Sequence, residues 1–272
     1  TLADADKYPL KLSDLMVTAL NPKKGWADLA WASGPTQVVE NVPIVGFTGD
    51  KFYRPMWMSD DMLDFTGSVL AIDPSGRGKD ETAYAVVKML NGYLYVTRIG
   101  GFVGGYSDKT LTSLSTVAKQ ESVNMVIVES NFGDGMYVKL LTPILNRIHR
   151  VTIEEVRHST QKEMRMIDTL EPVMMQHRLI VDEKLIKEDY DSAPEPSYSL
   201  FYQMTRLTRD RGAIIHDDRL DALSMAVAYW TEQMDADSES LASMQKTEAF
   251  NREIERFMDH AVGQKPRGIT WM

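Results

Sequence analysis

Three carboxylates in this chain sit where a carboxylate needs a reason. Asp73 ends the apolar run SVLAID (68–73) and is followed at once by the turn residues Pro74, Ser75 and Gly76. Glu129 ends a second run, MVIVE (125–129), that has almost no polar side. Asp221 lies in HDDRLDALSMAVAYW (216–230), four residues after Asp217 and three after Asp218, a spacing that puts acids on one face of a helix. An ionised acid on a strand buried on both faces is costly unless it is paired or ligated. Taken singly, Asp73 before proline is also a plain turn initiator, and Asp217 or Asp218 a plain helix cap. As an ordered set, Asp73, Glu129 and Asp221 match what phosphodiester cleavage by two metals needs, acids that flank and bridge ions about 3.5–4 Å apart. Mg2+ or Mn2+, two ions, suits such an all-oxygen set with no imidazole cage. Spacing alone leaves the third ligand open among Asp217, Asp218 and Asp221.

The elements that must carry these acids follow from the hydrophobic pattern. From Gly67 the runs SVLAID, TAYAVVKML and GYLYVTRIGGF read as three strands joined by tight turns, with Asn91-Gly92 the strongest hairpin signal. They predict an antiparallel meander. Residues 107–120 predict a helix capped by Ser107, and NMVIVES a strand buried on both sides and parallel to a neighbour. Helices over 133–148 (through Pro143) and 161–176 follow, with the strand VTIEEVRH between them. RLIVD is a short strand, EKLIKEDYD a helix, SAPEPS (192–197) a loop, and HDDRLDALSMAVAYWTEQM opens a long helix. This order predicts an α/β fold, a mixed central sheet with helices on its faces. Residues 1–66 have weak periodicity and many turn formers, and read as a partly irregular arm packed on the main domain or as a linker remnant. Within them Asp60, Asp61 and Asp64 of SDDMLDF read as the acidic first turn of a short helix after Ser59, not as a metal cluster. The division expected is an arm at 1–66, a catalytic domain at 67–232, and a charged helical tail at 233–272.

The chain has 272 residues and a formal net charge of −9. A protein this acidic does not bind nucleic acid with its whole surface; it needs a local basic patch. There is no cysteine, which excludes a disulfide framework and a thiolate zinc site. No apolar run reaches the roughly 18 residues of a membrane span and no signal peptide opens the chain, so no membrane partner is expected. The first residue is Thr1, as in a piece of a longer protein.

The motifs AIDPSGRGKDETAYAVV, VIVESNFGDG and HDDRLDALSMAVAYW resemble those of one family. It is the C-terminal nuclease domain of the large terminase subunit of tailed double-stranded DNA phages, of the podovirus type. The similarity runs from about Ser68 to Trp230. It implies an RNase H-like (retroviral integrase-like) fold and a metal-dependent endonuclease that cuts concatemeric DNA during genome packaging. It implies Asp73 and Glu129 as first and second acids, and Asp221 as the third with Asp218 as a supporting ligand. The implied partners are double-stranded DNA, the portal protein and the small terminase subunit, in the host cytoplasm and transiently at the procapsid portal. The upstream packaging ATPase of that family is expected to be missing here. A Walker A loop needs G-x-x-x-x-G-K-[ST] before a helix, and the nearest stretch, SGRGKDE (75–81), lacks the spacing and the hydroxyl.

Arg77 and Lys79 read instead as a basic hairpin tip beside the acids, able to hold a DNA phosphate. Lys162 and Arg165, three apart on one helix, and Arg206, Arg209 and Arg211, just before the last acids, are the other candidate DNA contacts. Each could equally be a solvated face. Asn131 and Asp134 follow Glu129, Asp134 as a helix cap or a fourth acid, and His216 reads as a residue preceding a cap. No base-reading helix or finger is evident, so low sequence specificity is expected. Two other readings stay open. One is a different RNase H-like nuclease, a junction resolvase or an RNase H. The other is a portal-docking module with suppressed nuclease activity.

Overall fold

The computed structural model describes residues 7–43, 45–75, 80–130, 135–238 and 247. By internal contacts the chain divides into Thr1–Trp230 and Thr231–Met272, and residues 231–238 of the second unit are helical. In the first unit, the strands are β1 (Met16–Thr18), β2 (Lys24–Trp26), β3 (Leu29–Ala30), β4 (Trp57–Met58) and β5 (Met62–Asp64). The longer ones follow: β6 (Gly67–Asp73), β7 (Glu81–Leu90), β8 (Tyr93–Val103), β9 (Met125–Glu129), β10 (Thr152–Val156) and β11 (Leu179–Asp182). The helices are α1 (Asp108–Gln120), α2 (Met136–Ile148), α3 (Lys162–Met175), α4 (Glu183–Ser192), α5 (Leu200–Arg206) and α6, which opens at residue 218.

Seven strands form one mixed sheet in the order β1-β11-β8-β7-β6-β9-β10. The meander β6-β7-β8 is antiparallel and every other pairing is parallel. The hairpin between β7 and β8 turns on Asn91 and Gly92, both at positive φ (51° and 81°), which a two-residue turn of this hand requires. Ser107 caps α1 by accepting from the Thr110 N–H. The meander, its Asn91-Gly92 turn and the Ser107 cap are as the sequence pattern predicts.

Side chains alternate across a strand, and this alternation sorts the acids. Leu70 and Ile72 of β6 and Val126 and Val128 of β9 pack with Leu111, Leu114 and Val117 of α1 and with Tyr137, Leu141 and Leu145 of α2. Asp73 and Glu129 therefore belong to the opposite face. Ile72 and Val128 are paired in register, so each acid is the next residue along two adjacent parallel strands. Ligands in open α/β sheets sit beyond such carboxyl ends.

Two features of the N-terminal stretch differ from expectation. Met16–Thr18 is a strand of the main sheet, paired parallel with Ile180–Asp182 of β11, so part of residues 1–66 builds the sheet itself. Met62–Asp64 is a strand and not a helix: it pairs antiparallel with Lys24–Trp26, Met62 opposite Trp26. The capping signal of Ser59 and its acids is local, and a partner strand some 40 residues away overrides it. Trp26, Leu29 and Met58 pack in the cluster formed with Leu90, Tyr95 and Ile180.

Candidate metal centre

Asp73, Glu129 and Asp221 converge. Each offers an oxygen, and these oxygens lie within 4.8 Å of one another. The residues are 7%, 4% and 0% exposed. The first two arrive on rigid strand ends. Asp221 arrives in the first turn of α6, where its N–H donates to the Asp217 carbonyl at 2.8 Å.

Asp217 stands at the cap position of α6, yet its carboxylate accepts from Lys162 Nζ at 2.8 Å. The N–H of Leu220 is instead satisfied by Oε1 of Gln203, at 2.9 Å, from the buried face of α5. Because a side chain distant in sequence supplies this bond, the Asp217 carboxylate is free to face the acids.

Lys162 and Arg165 open α3, and in this structure both side chains point at the acids. Lys162 Nζ lies 3.0 Å from Asp221 Oδ2 and 3.5 Å from Asp73 Oδ2. Arg165 Nη2 lies 2.9 Å from Asp221 Oδ1 and 3.4 Å from Glu129 Oε1. Among the described residues, two cations thus stand among five carboxylates, counting Asp218. The electrostatics follow from that imbalance. Burial pushes Asp73 well above the usual carboxylate range; Lys162 opposes the shift and Asp221, Glu129 and Asp218 add to it. Glu129 is raised by burial and then by Asp221. Asp218 is raised to about 6, by burial first and by Asp217 and Asp80, against Lys162. Burial works against the Lys162 charge, but Asp221, Asp73 and Asp217 outweigh it and hold the ammonium above its ordinary value.

The donor set fits a hard divalent cation. Among the described residues it is all oxygen and holds more negative than positive charge, and Asp221 Oδ1 is fully buried and accepts no well-formed hydrogen bond even though Arg165 is close. Asp218 is not one of the three converging acids; it adds its field to Asp73.

The remaining expected contacts separate. Arg206 donates to the Val45 carbonyl at 2.9 Å and lies 3.9 Å over the ring of Tyr202 and 4.9 Å over that of Phe47. Its planar head packs against the arm. Arg209 pairs with Asp168 at 3.1 Å and Glu171 at 2.9 Å on α3. Arg211 is exposed, as a DNA contact would be. Arg77, Lys79, Asn131 and Asp134 lie outside the described residues. His216 stacks on Tyr198, centroids 3.7 Å apart, just before the cap position.

Sequence reasoning missed His158. Its Nε2 is buried without a hydrogen-bond partner, and burial, then Arg165, lowers its pKa while Asp221 raises it. It also missed Arg219, which no spacing distinguishes from a solvated charge.

Residues 72–179 match the family described as Terminase Bacteriophage T7, Ribonuclease H-like domain. The whole chain aligns with the large terminase subunit of Enterobacteria phage T3 at 42% identity over 277 residues. It spans 47% of that relative, about half its length. Among solved structures, the human cytomegalovirus terminase nuclease domain, Mn soaked and inhibitor bound, is similar at TM-score 0.45 and 14% identity. That match covers 61% of this chain and 84% of the other. The nuclease domain of the large terminase subunit gp2 of bacterial virus Sf6 is similar at TM-score 0.45 and 13% identity, covering 60% and 88%.

Proposed function

On the premise that this chain belongs to the large terminase subunits, whose RNase H-like nuclease domain it carries, we propose that it is a metal-dependent endonuclease. Its substrate is concatemeric double-stranded viral DNA, cut with low sequence specificity as the genome is packaged. The observation that carries this reading is the convergence of Asp73, Glu129 and Asp221, all buried, with one Asp221 oxygen left without a hydrogen bond.

These three acids would hold two Mg2+ or Mn2+ ions, with Asp218 in support. When bound, such ions supply an activated water and neutralise charge on the departing 3′ oxygen. The chain's own residues do the rest. The strand ends fix two ligands, and the first turn of α6 fixes the third. The walls of the site keep the carboxylates partly out of water, which strengthens every charge interaction there. Lys162 and Arg165 hold positive charge beside the acids and are placed to meet phosphate oxygens once substrate draws them outward. Arg77, Lys79 and Arg211 would contact the DNA backbone. The portal protein, the small terminase subunit and an upstream ATPase would bring the DNA, in the host cytoplasm and at the procapsid portal.

The test is nicking of supercoiled plasmid with Mg2+, Mn2+, Ca2+ or EDTA, for the wild type beside Asp73→Asn, Glu129→Gln and Asp221→Asn. Cutting with Mg2+ or Mn2+, lost in EDTA and in each variant, is expected. A folded wild type that cuts under no metal would move the reading to a docking module. Preference for a branched junction or an RNA–DNA hybrid over duplex would move it to another RNase H-like enzyme.

A further inference from the structure

Behind the acids lies a second charged cluster with no part in the chemistry above. Arg219 is fully buried. Its Nε and Nη2 donate to the two carboxylate oxygens of Glu81, both at 3.0 Å. Its Nη1 donates to Asp189 Oδ1 at 2.8 Å, to the Asp189 carbonyl at 3.2 Å and to Ser192 Oγ at 3.2 Å. Glu81 and Asp189 are themselves 3% and 1% exposed. One guanidinium thus ties the start of β7 and the end of α4 to the first turn of α6.

What it ties matters for the site. Arg219 precedes Asp221 by two residues, which on a helix puts the two side chains on nearly opposite faces. Glu81 opens the strand whose Ala83 pairs directly with Asp73. The clamp therefore joins the backbone that carries Asp221 to the hairpin that carries Asp73. Asp189 extends the frame by accepting from the Leu200 N–H at 3.1 Å, at the start of α5, and α5 supplies the Gln203 that caps α6. The seat of Glu81 is shaped in advance as well: its carboxylate lies against Gly101 of β8, where a Cβ would collide with it.

The geometry points to Arg219 as a positioning residue that sets the separation of Asp73 and Asp221, and so the affinity of the site for divalent ions. This inference rests on the nuclease reading and deepens it. A lysine keeps the charge but cannot fork to Glu81 while reaching Asp189. Disturbing the groups that orient metal ligands costs about 10-fold or more in metal affinity.

The experiment compares Mn2+ binding by calorimetry, thermal melting and plasmid cleavage for the wild type, Arg219→Lys, Gly101→Ala and Glu121→Gln. Gly101→Ala disturbs the same clamp by pushing Glu81 away, and serves if Arg219→Lys does not fold. Glu121→Gln is the control: it weakens the buried Lys88–Glu121 pair (3.0 Å) at the other end of β7. The expected result is Mn2+ affinity about 10-fold weaker in the clamp variants, with kcat reduced and KM for DNA little changed. The control should bind Mn2+ as the wild type does even where it melts earlier. Wild-type Mn2+ affinity in folded clamp variants overturns the inference and leaves the nuclease reading intact. So does an equal loss of affinity in the control at an equal loss of melting temperature. A wild type that neither binds Mn2+ nor cuts DNA overturns both.

Discussion

Replacing Lys162 with methionine should make the metal-free protein less stable and the metal-bound protein easier to form. Lys162 touches Asp217, Asp221 and Asp73 at 2.8, 3.0 and 3.5 Å. Breaking a buried ion pair costs about 3–5 kcal/mol. Its side chain, however, is 33% exposed, and Asp221 keeps Arg165, so screening by water reduces the cost to about 1–2 kcal/mol. For a unit of this size, that lowers the melting temperature by about 3–6 °C. A divalent ion supplies the missing charge. In the wild type the same ion must first displace Lys162 from Asp73 and Asp221. The variant should therefore bind Mn2+ about 5–30-fold more tightly, the equivalent of 1–2 kcal/mol. At an ion concentration about 100 times the dissociation constant, binding adds about 2.7 kcal/mol, enough to close the gap. The assay is scanning calorimetry in EDTA and across a Mn2+ titration. A deficit in the variant that persists unchanged at every Mn2+ concentration, with no gain in affinity, would refute the idea that lysine and metal compete for the same oxygens.

Arg206→Ala should lower stability by about 1–3 kcal/mol, through the lost ring contacts and carbonyl bonds, while cleavage per folded molecule stays at the wild-type level. Weaker DNA binding with unchanged melting would favour the DNA-contact role over the structural one. In EDTA the protein should also lose stability as pH rises from about 4 to about 6. Asp218 has a folded pKa of about 6 against an ordinary 3.8. The folded state therefore binds this proton more tightly, and the stability it adds is full below the lower value and gone above the higher. Asp73 and Glu129, also raised by burial, add slope of the same sign. Melting in EDTA across this range should give a smaller fall for Asp218→Asn; an identical fall in both proteins would sink the assignment.

How much of this was legible depends on whether the signal was local. Asp73 and Glu129 could be read because a polar residue ending an apolar run is visible without knowing the partner strand. The meander, the Asn91-Gly92 turn and the Ser107 cap are local too, and the fold agrees with them. Lys162 and Arg165 were found as a pair, but spacing on α3 does not say whether that face meets solvent or the acids; docking of the helix decides. Gln203 capping Leu220, 17 residues away, leaves no trace in the sequence around either residue. The same holds for Arg219, whose neighbours Asp218 and Asp221 make it look like one more surface charge in a charged stretch.

Because Met16–Thr18 covers the β11 side of the sheet, the chain cannot be trimmed to begin at its first long strand. A chain cut back to residue 67 would lay open the backbone groups of Ile180–Asp182 that face β1, on a strand buried along its whole length. Such a bare, apolar edge templates pairing with other chains. Removal of residues 1–18 should yield aggregates even though every acid of the site is still present.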